Sequence, residues 1–179
     1  MAEPRTKLLI ADASVLLRLQ RLGVFAFLRD IRRELDLEIA ITASVLYEIG
    51  LEIDESQLAA CGVTIRRQSA AVTARAQEMR ERGEISRRLS ETDAEMLVLG
   101  LTDGFTIWTD DDRLFKTAQK KGVKAIHLFN PFCRLVEMGC ITAESVIELG
   151  MRLVGLDERF TERDLKSLKD RLNGRNATP

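Results

Sequence analysis

The chain has 179 residues, with 27 basic and 28 acidic side chains and a formal net charge of -1. That length suits one domain with a sizeable core and is too short for two independent ones. Hydrophobic residues at 45% and charged residues at 31% exclude a disordered or fibrous chain, and the near-neutral charge excludes a wholly basic nucleic-acid-binding surface.

No apolar run approaches the roughly 20 residues needed to cross a bilayer, and the segment Met1 to Arg5 lacks the apolar stretch of a signal peptide. A cytoplasmic protein without membrane contact is therefore expected. Cys61, Cys133 and Cys140 form no CxxC pair, which suggests reduced thiols. His127 is the only histidine, so zinc is not expected.

In chain order, Lys7 to Ala11 is a short apolar run ending at Asp12, the pattern of a buried strand that delivers a carboxylate. Helical spacing follows over Ala13 to Gln20 and Val24 to Leu35, with Gly23 as the break. Glu38 to Ile41 is a second strand, after which Thr42 is placed to cap a helix running through Ile49. Gly62 to Ile65 gives a third strand, and Ser69 to Arg82 a polar helix ended by Gly83. Ser90-Glu91-Thr92-Asp93 opens the next helix as a capping box, closed by Asp103-Gly104.

Phe105 to Trp108 is a fourth strand running into Asp110-Asp111-Asp112, and Asp112 is the expected cap of a helix that continues to Lys121. Val123 to Leu128 forms a fifth strand. Strands separated by helices require crossover connections, which predicts an α/β fold with a central parallel sheet covered on both faces. Beyond Asn130-Pro131 only helical patterns remain, with Thr142 and Thr161 as caps, and Arg175 to Pro179 reads as a frayed end. One domain is predicted, with a core over about 7–128 and a helical C-terminal extension over about 130–173.

In open α/β sheets, ligands bind beyond the carboxyl ends of the strands. Asp12 and the run Asp110 to Asp112 sit at such ends, while Glu48 and Asp93 lie on adjoining helices that can face the same edge. Two carboxylates about 4 Å apart repel by on the order of 4 kcal/mol at an effective dielectric near 20, so such a rim calls for a cation. Oxygen donors favour a hard ion, Mg²⁺ or Mn²⁺, which can activate water against a phosphodiester.

The stretches Leu9 to Leu16, Val45 to Ile49, Leu89 to Glu95 and Trp108 to Asp112, in that order and spacing, resemble the PIN-domain nucleases, including the VapC-type ribonuclease toxins of toxin–antitoxin pairs. The resemblance spans about Leu8 to Leu128, and Asp110 to Leu172 is more loosely similar to a prokaryotic subgroup with a helical C-terminal extension. It implies a PIN-like three-layer fold, Mg²⁺- or Mn²⁺-dependent ribonuclease activity on an RNA substrate, and often a homodimer. By position, Asp12, Glu48 and Asp93 match the family's first three acids, and either Asp111 or Asp110 the fourth. Thr109 matches the hydroxyl beside that acid and Ser14 a small polar residue near the metal, whereas Ala13 departs from the family's frequent Thr or Ser. In a toxin, an antitoxin peptide carrying a basic residue is expected to enter the acidic cleft.

Arg113, Lys116 and Lys120 form a helical stripe suited to phosphates or equally to solvent, and Arg18, Arg21, Arg87, Arg88 and Lys121 also flank the rim. Gly83 to Arg88 is a candidate substrate-contacting loop. His127 reads as packed or hydrogen-bonded, and a purely capping role at N3 of the Ser90 box is the alternative reading of Asp93. A haloacid-dehalogenase-like phosphatase is disfavoured because Asp12-Ala13-Ser14 lacks the Asp-x-Asp pattern, and a receiver domain because no acidic pair accompanies the first strand. The remaining alternatives are a non-catalytic PIN-like module that docks a partner, or a PIN nuclease acting in RNA processing or on DNA.

Overall fold

The computed structural model describes residues 7–174; the expectation for Arg175 to Pro179 lies outside them. Five strands form one sheet, β1 (Lys7–Ala11), β2 (Leu37–Thr42), β3 (Thr64–Arg66), β4 (Thr106–Trp108) and β5 (Ala125–Ile126). Their order is β3-β2-β1-β4-β5, and every pairing is parallel. The α/β class with a central parallel sheet thus holds, because successive strands are joined by helical crossovers.

Between β1 and β2 lie α1 (Ala13–Arg21) and α2 (Phe27–Glu34), and between β2 and β3 lie α3 (Ala43–Ile49) and α4 (Glu55–Ala60). The return from β3 to β4 carries α5 (Ala70–Glu81) and α6 (Glu91–Asp103), and α7 (Asp112–Lys120) links β4 to β5. With right-handed crossovers, this strand order sends α1 to α4 over one face and α5 to α7 over the other. The centre of the sheet is accordingly apolar throughout, with Ile10, Ile39, Ile41, Ile107 and Trp108 all fully buried. Each such side chain contributes roughly 1.5–3 kcal/mol on burial.

The extension comprises α8 (Asn130–Glu137), α9 (Ala143–Leu156) and α10 (Glu162–Asn173). It packs on the first face through Phe132, whose ring lies 6.0 Å from that of Phe27 on α2 and 5.9 Å from Phe129. Gly150 of α9 meets Leu165 and Leu168 of α10, where an added Cβ would stand 3.0 Å from both side chains. Thr142 caps α9 as expected, accepting from the Ser145 amide at 3.2 Å.

Three departures have local causes. The strands expected over Gly62 to Ile65, Phe105 to Trp108 and Val123 to Leu128 pair over shorter or shifted spans, since the ladder forms only where two backbones run side by side. α4 carries a single buried apolar residue, Leu58, so it has no helical period to detect; its capping box, Asp54 with Gln57, was the available signal. Lastly, Asp111 and not Asp112 caps α7: its Oδ1 accepts from the amides of Arg113 at 2.7 Å and Leu114 at 2.9 Å. Asp112 is exposed and pairs with Lys116 one turn on, at 3.2 Å.

Candidate acid rim at the switch point of the sheet

Strand order reverses its direction of growth between β1 and β4, the place where open α/β sheets bind ligands beyond the carboxyl ends of the strands. Asp12 leaves β1 at that point; its amide donates to the Trp108 carbonyl at 2.9 Å, extending the β1–β4 ladder by one bond. Its side chain is 7% exposed and is held by two hydroxyls, since Ser14 Oγ and Thr109 Oγ1 donate to Oδ2 at 2.6 and 2.8 Å. Ser14 and Thr109 therefore orient the first acid. Burial raises the Asp12 carboxyl above its ordinary range against these hydrogen bonds, and the charge of Asp111 pushes in the same direction.

Asp93 stands in the first turn of α6. It completes the capping box, with its amide donating to Ser90 Oγ at 3.0 Å and its Oδ2 accepting from the Ser90 amide at 2.9 Å. Burial, reinforced by the negative charges of Asp12 and Asp111, nevertheless pushes its carboxyl up to about 6. Capping and membership of an acidic cluster coexist at this residue. Asp12, Asp93 and Asp111 thus lie within one another's electrostatic field on one rim.

Glu48, on the last turn of α3, is exposed, and its Oε1 accepts from Thr92 Oγ1 at 2.5 Å, which fixes it beside the residue preceding Asp93. The same two helices are joined a second time by Glu95, a buried carboxylate on α6. It accepts from Ser44 of α3 at 2.7 Å, from Gln68 at 2.7 Å and from Thr73 of α5 at 2.8 Å. Sequence reasoning passed over Glu95, although a single charge inside the apolar run Ala94 to Leu99 is the mark of a buried acid.

Asp110 belongs elsewhere. Its Oδ2 forms an ion pair with Arg18 Nη1, and its Oδ1 accepts from the Leu128 amide at 2.9 Å with His127 Nδ1 at 3.6 Å. Burial opposes its ionisation, yet His127, the Leu128 amide and Arg18 together hold the carboxyl below the ordinary range. With both oxygens engaged, Asp110 is a poor ligand candidate, whereas Asp111 Oδ2 accepts nothing among the described residues.

Arg18 is not the flanking surface cation its sequence position suggests: it is 3% exposed and also donates to Asp157 at 2.7 Å, in the turn between α9 and α10. It ties the extension to the end of β4 and is not available to a ligand. Of the other flanking cations, Arg21 pairs with Glu52 at 3.4 Å, Lys121 with Glu84 at 3.9 Å and Lys116 with Asp112, while Arg113 has no ion pair among the described residues. The segment Gly83 to Arg88 is pinned by buried Ile85, with Leu89 just beyond, and so is anchored on the core.

The donor chemistry of the rim, three carboxylates and two hydroxyls, is all oxygen and fits a hard cation. Among the described residues, no three His, Cys, Asp or Glu side chains are already drawn together as a coordination shell. Cys61 and Cys140 carry free thiols, and among the described residues no helix is long and apolar enough to cross a membrane.

No family model matches the sequence, and no curated protein does. Among solved structures, the chain is similar to a PilT N-terminus domain protein from the hyperthermophilic archaeon Sulfolobus solfataricus P2, with 16% identity, a TM-score of 0.46, and coverage of 69% of this chain and 89% of that one. It is also similar to a protein from Pyrobaculum aerophilum, with 19% identity, a TM-score of 0.49, and coverage of 74% of this chain and 98% of that one.

Proposed function

We propose that the chain is a PIN-type nuclease that hydrolyses RNA phosphodiester bonds with the help of Mg²⁺ or Mn²⁺ at Asp12, Asp93 and Asp111, with Glu48 completing the rim. One observation carries the reading: at the switch point of the sheet, Asp12 at the end of β1, Asp93 on α6 and Asp111 beyond β4 are close enough that the charge of Asp111 pushes up the carboxyls of both Asp12 and Asp93. Such a cluster disfavours its own ionised form and is relieved by a cation. A bound Mg²⁺ or Mn²⁺ would supply an acidified water and neutralise charge on the phosphate.

The protein's own part is positioning. Ser14 and Thr109 hold Asp12 from two sides, Thr92 holds Glu48, and the Ser90 amide holds Asp93. The N-terminus of α7, capped by Asp111, carries Arg113 in its first turn, where a guanidinium can bind a phosphate oxygen. A role as the toxin of a toxin–antitoxin pair agrees with the motif resemblance. A partner protein or second copy would find apolar surface beside Glu48, where Tyr47 is 90% exposed and Leu51 is fully exposed.

The test is cleavage of labelled single-stranded and structured RNA, and of DNA, in Mg²⁺, Mn²⁺ or EDTA, by the wild type and by Asp12→Asn and Asp93→Asn. Cleavage that requires metal and is lost in both variants is expected. Cleavage in EDTA, or cleavage untouched by both substitutions, would overturn the mechanism.

A further inference from the structure

Next to the acid rim, a cleft of about 680 Å³ opens between the carboxyl ends of β4 and β5 and helix α10. Asp111 lines it as well, so a chain lying at the rim can continue into it. Guanidinium groups reach the cleft from three segments: Arg113 of α7, Arg159 before α10, and Arg171 of α10. Arg159 is 3.6 Å from Asp157, but among the described residues Arg113 has no carboxylate partner and Arg171 donates only to the neutral Asn130 Oδ1, at 2.7 Å.

Most acids of the wall are engaged within the protein. Arg18 takes Asp110, Lys116 takes Asp112, and Asp164 accepts from the Thr161 amide at 2.8 Å at the start of α10. Asp111 caps α7, and Glu158 is the one wall acid without such an ionic or capping tie among the described residues. The cleft also holds an aromatic platform: His127 lines it with 45% of its side chain exposed, and its ring stacks on Phe115, with centroids 3.9 Å apart and planes at 19°.

We infer that this cleft binds the single-stranded nucleic-acid segment adjoining the cleaved bond, with a base on the His127–Phe115 stack and backbone phosphates at Arg113 and Arg171. The inference rests on the nuclease reading above. Unneutralised guanidinium forks match phosphate geometry, and flat rings accept any base by stacking. The volume suits one or two nucleotides of a single strand and not a duplex. Because α10 and the turn before it form one wall, the extension becomes part of the substrate groove.

The experiment is fluorescence anisotropy in EDTA with a short labelled single-stranded RNA and the matching DNA, at several salt concentrations. Arg113→Gln, Arg171→Gln and His127→Ala are compared with wild type and with Lys124→Gln, an exposed cation just before β5, at the amino ends of the strands and away from the cleft. Thermal melting verifies that each variant folds. Each arginine variant should weaken binding and lower the slope of log affinity against log salt by about 0.7. His127→Ala should weaken binding roughly tenfold or more without changing the slope, and Lys124→Gln should behave as wild type.

Losses on RNA and DNA alike indicate phosphate and base recognition, and losses on RNA alone add a 2′-hydroxyl contact; both support the cleft. Equal affinity of wild type and all three cleft variants overturns it, as does a wild type that binds neither strand, including one that binds only a peptide partner. Metal-dependent cleavage unchanged in the cleft variants would sink the cleft and spare the nuclease reading. Cleft-dependent binding without any metal-dependent cleavage would do the reverse.

Discussion

Replacing Asp93 by Asn should make the metal-free protein more stable. The carboxyl of Asp93 is raised from 3.8 to about 6 by burial and by the charges of Asp12 and Asp111, so the folded state disfavours its ionised form. At 1.36 kcal/mol per tenfold change in proton affinity, the shift corresponds to about 3 kcal/mol, which solvent screening of a half-buried group reduces to about 1–3 kcal/mol. For a raised carboxyl, this contribution to stability is fully present below pH 3.8 and is lost as pH rises through about 6. Asn keeps an oxygen for the Ser90 amide and so retains the cap while removing the charge.

Thermal melting in EDTA at about pH 8 should therefore show Asp93→Asn melting about 2–12 °C above wild type, at 2–4 °C per kcal/mol for a chain of this size. Near pH 3.5, where both carry no charge at this position, the two should converge. A variant less stable than wild type by the same amount at both pH values would refute the reasoning, because it would show that Asp93 acts only as a cap.

At Asp111, charge and cap separate: Asp111→Ala should cost about 1 kcal/mol by chemical denaturation and Asp111→Asn only a few tenths, while both reduce RNA cleavage by about a hundredfold or more. Arg18→Met should destabilise by about 3–5 kcal/mol, because Asp110 and Asp157 lose their shared cation, and adding Asp110→Asn and Asp157→Asn should recover part of that loss in the same measurement. Gly100→Ala places a Cβ 2.3 Å from Val123 Cγ1, a stiff β-branched side chain, and should cost about 1–3 kcal/mol. Val123→Ala in the same chain should restore some of it, as read by urea denaturation.

The parallel sheet was legible because five apolar segments alternate with helical ones, a pattern that fixes the connection type before any contact is known. Asp12 was legible for a similar reason, as a charge placed directly after a buried strand. The aspartate run was not. Asp110, Asp111 and Asp112 are chemically identical, and their separate duties are set by Arg18, 92 positions away, by the Leu128 amide, 18 positions away, and by the start of α7. No local pattern encodes those partners. The ion pair of Arg18 with Asp157 spans 139 positions, so the tie between core and extension was hidden, and a basic residue on α1 looked like surface. His127 was read as packed or hydrogen-bonded, and its stack on Phe115 agrees, but its exposure to a cleft depended on α10.

Divalent-cation binding tests the acid rim most directly. Titration of the wild type with Mn²⁺, followed by electron paramagnetic resonance, should reveal a saturable site whose affinity falls about tenfold or more in Asp12→Asn and in Asp93→Asn, and stays unchanged in Asp110→Asn. Equal Mn²⁺ affinity in wild type, Asp12→Asn and Asp93→Asn, or no saturable binding by the wild type, would contradict the assignment of these acids as a metal-dependent catalytic centre.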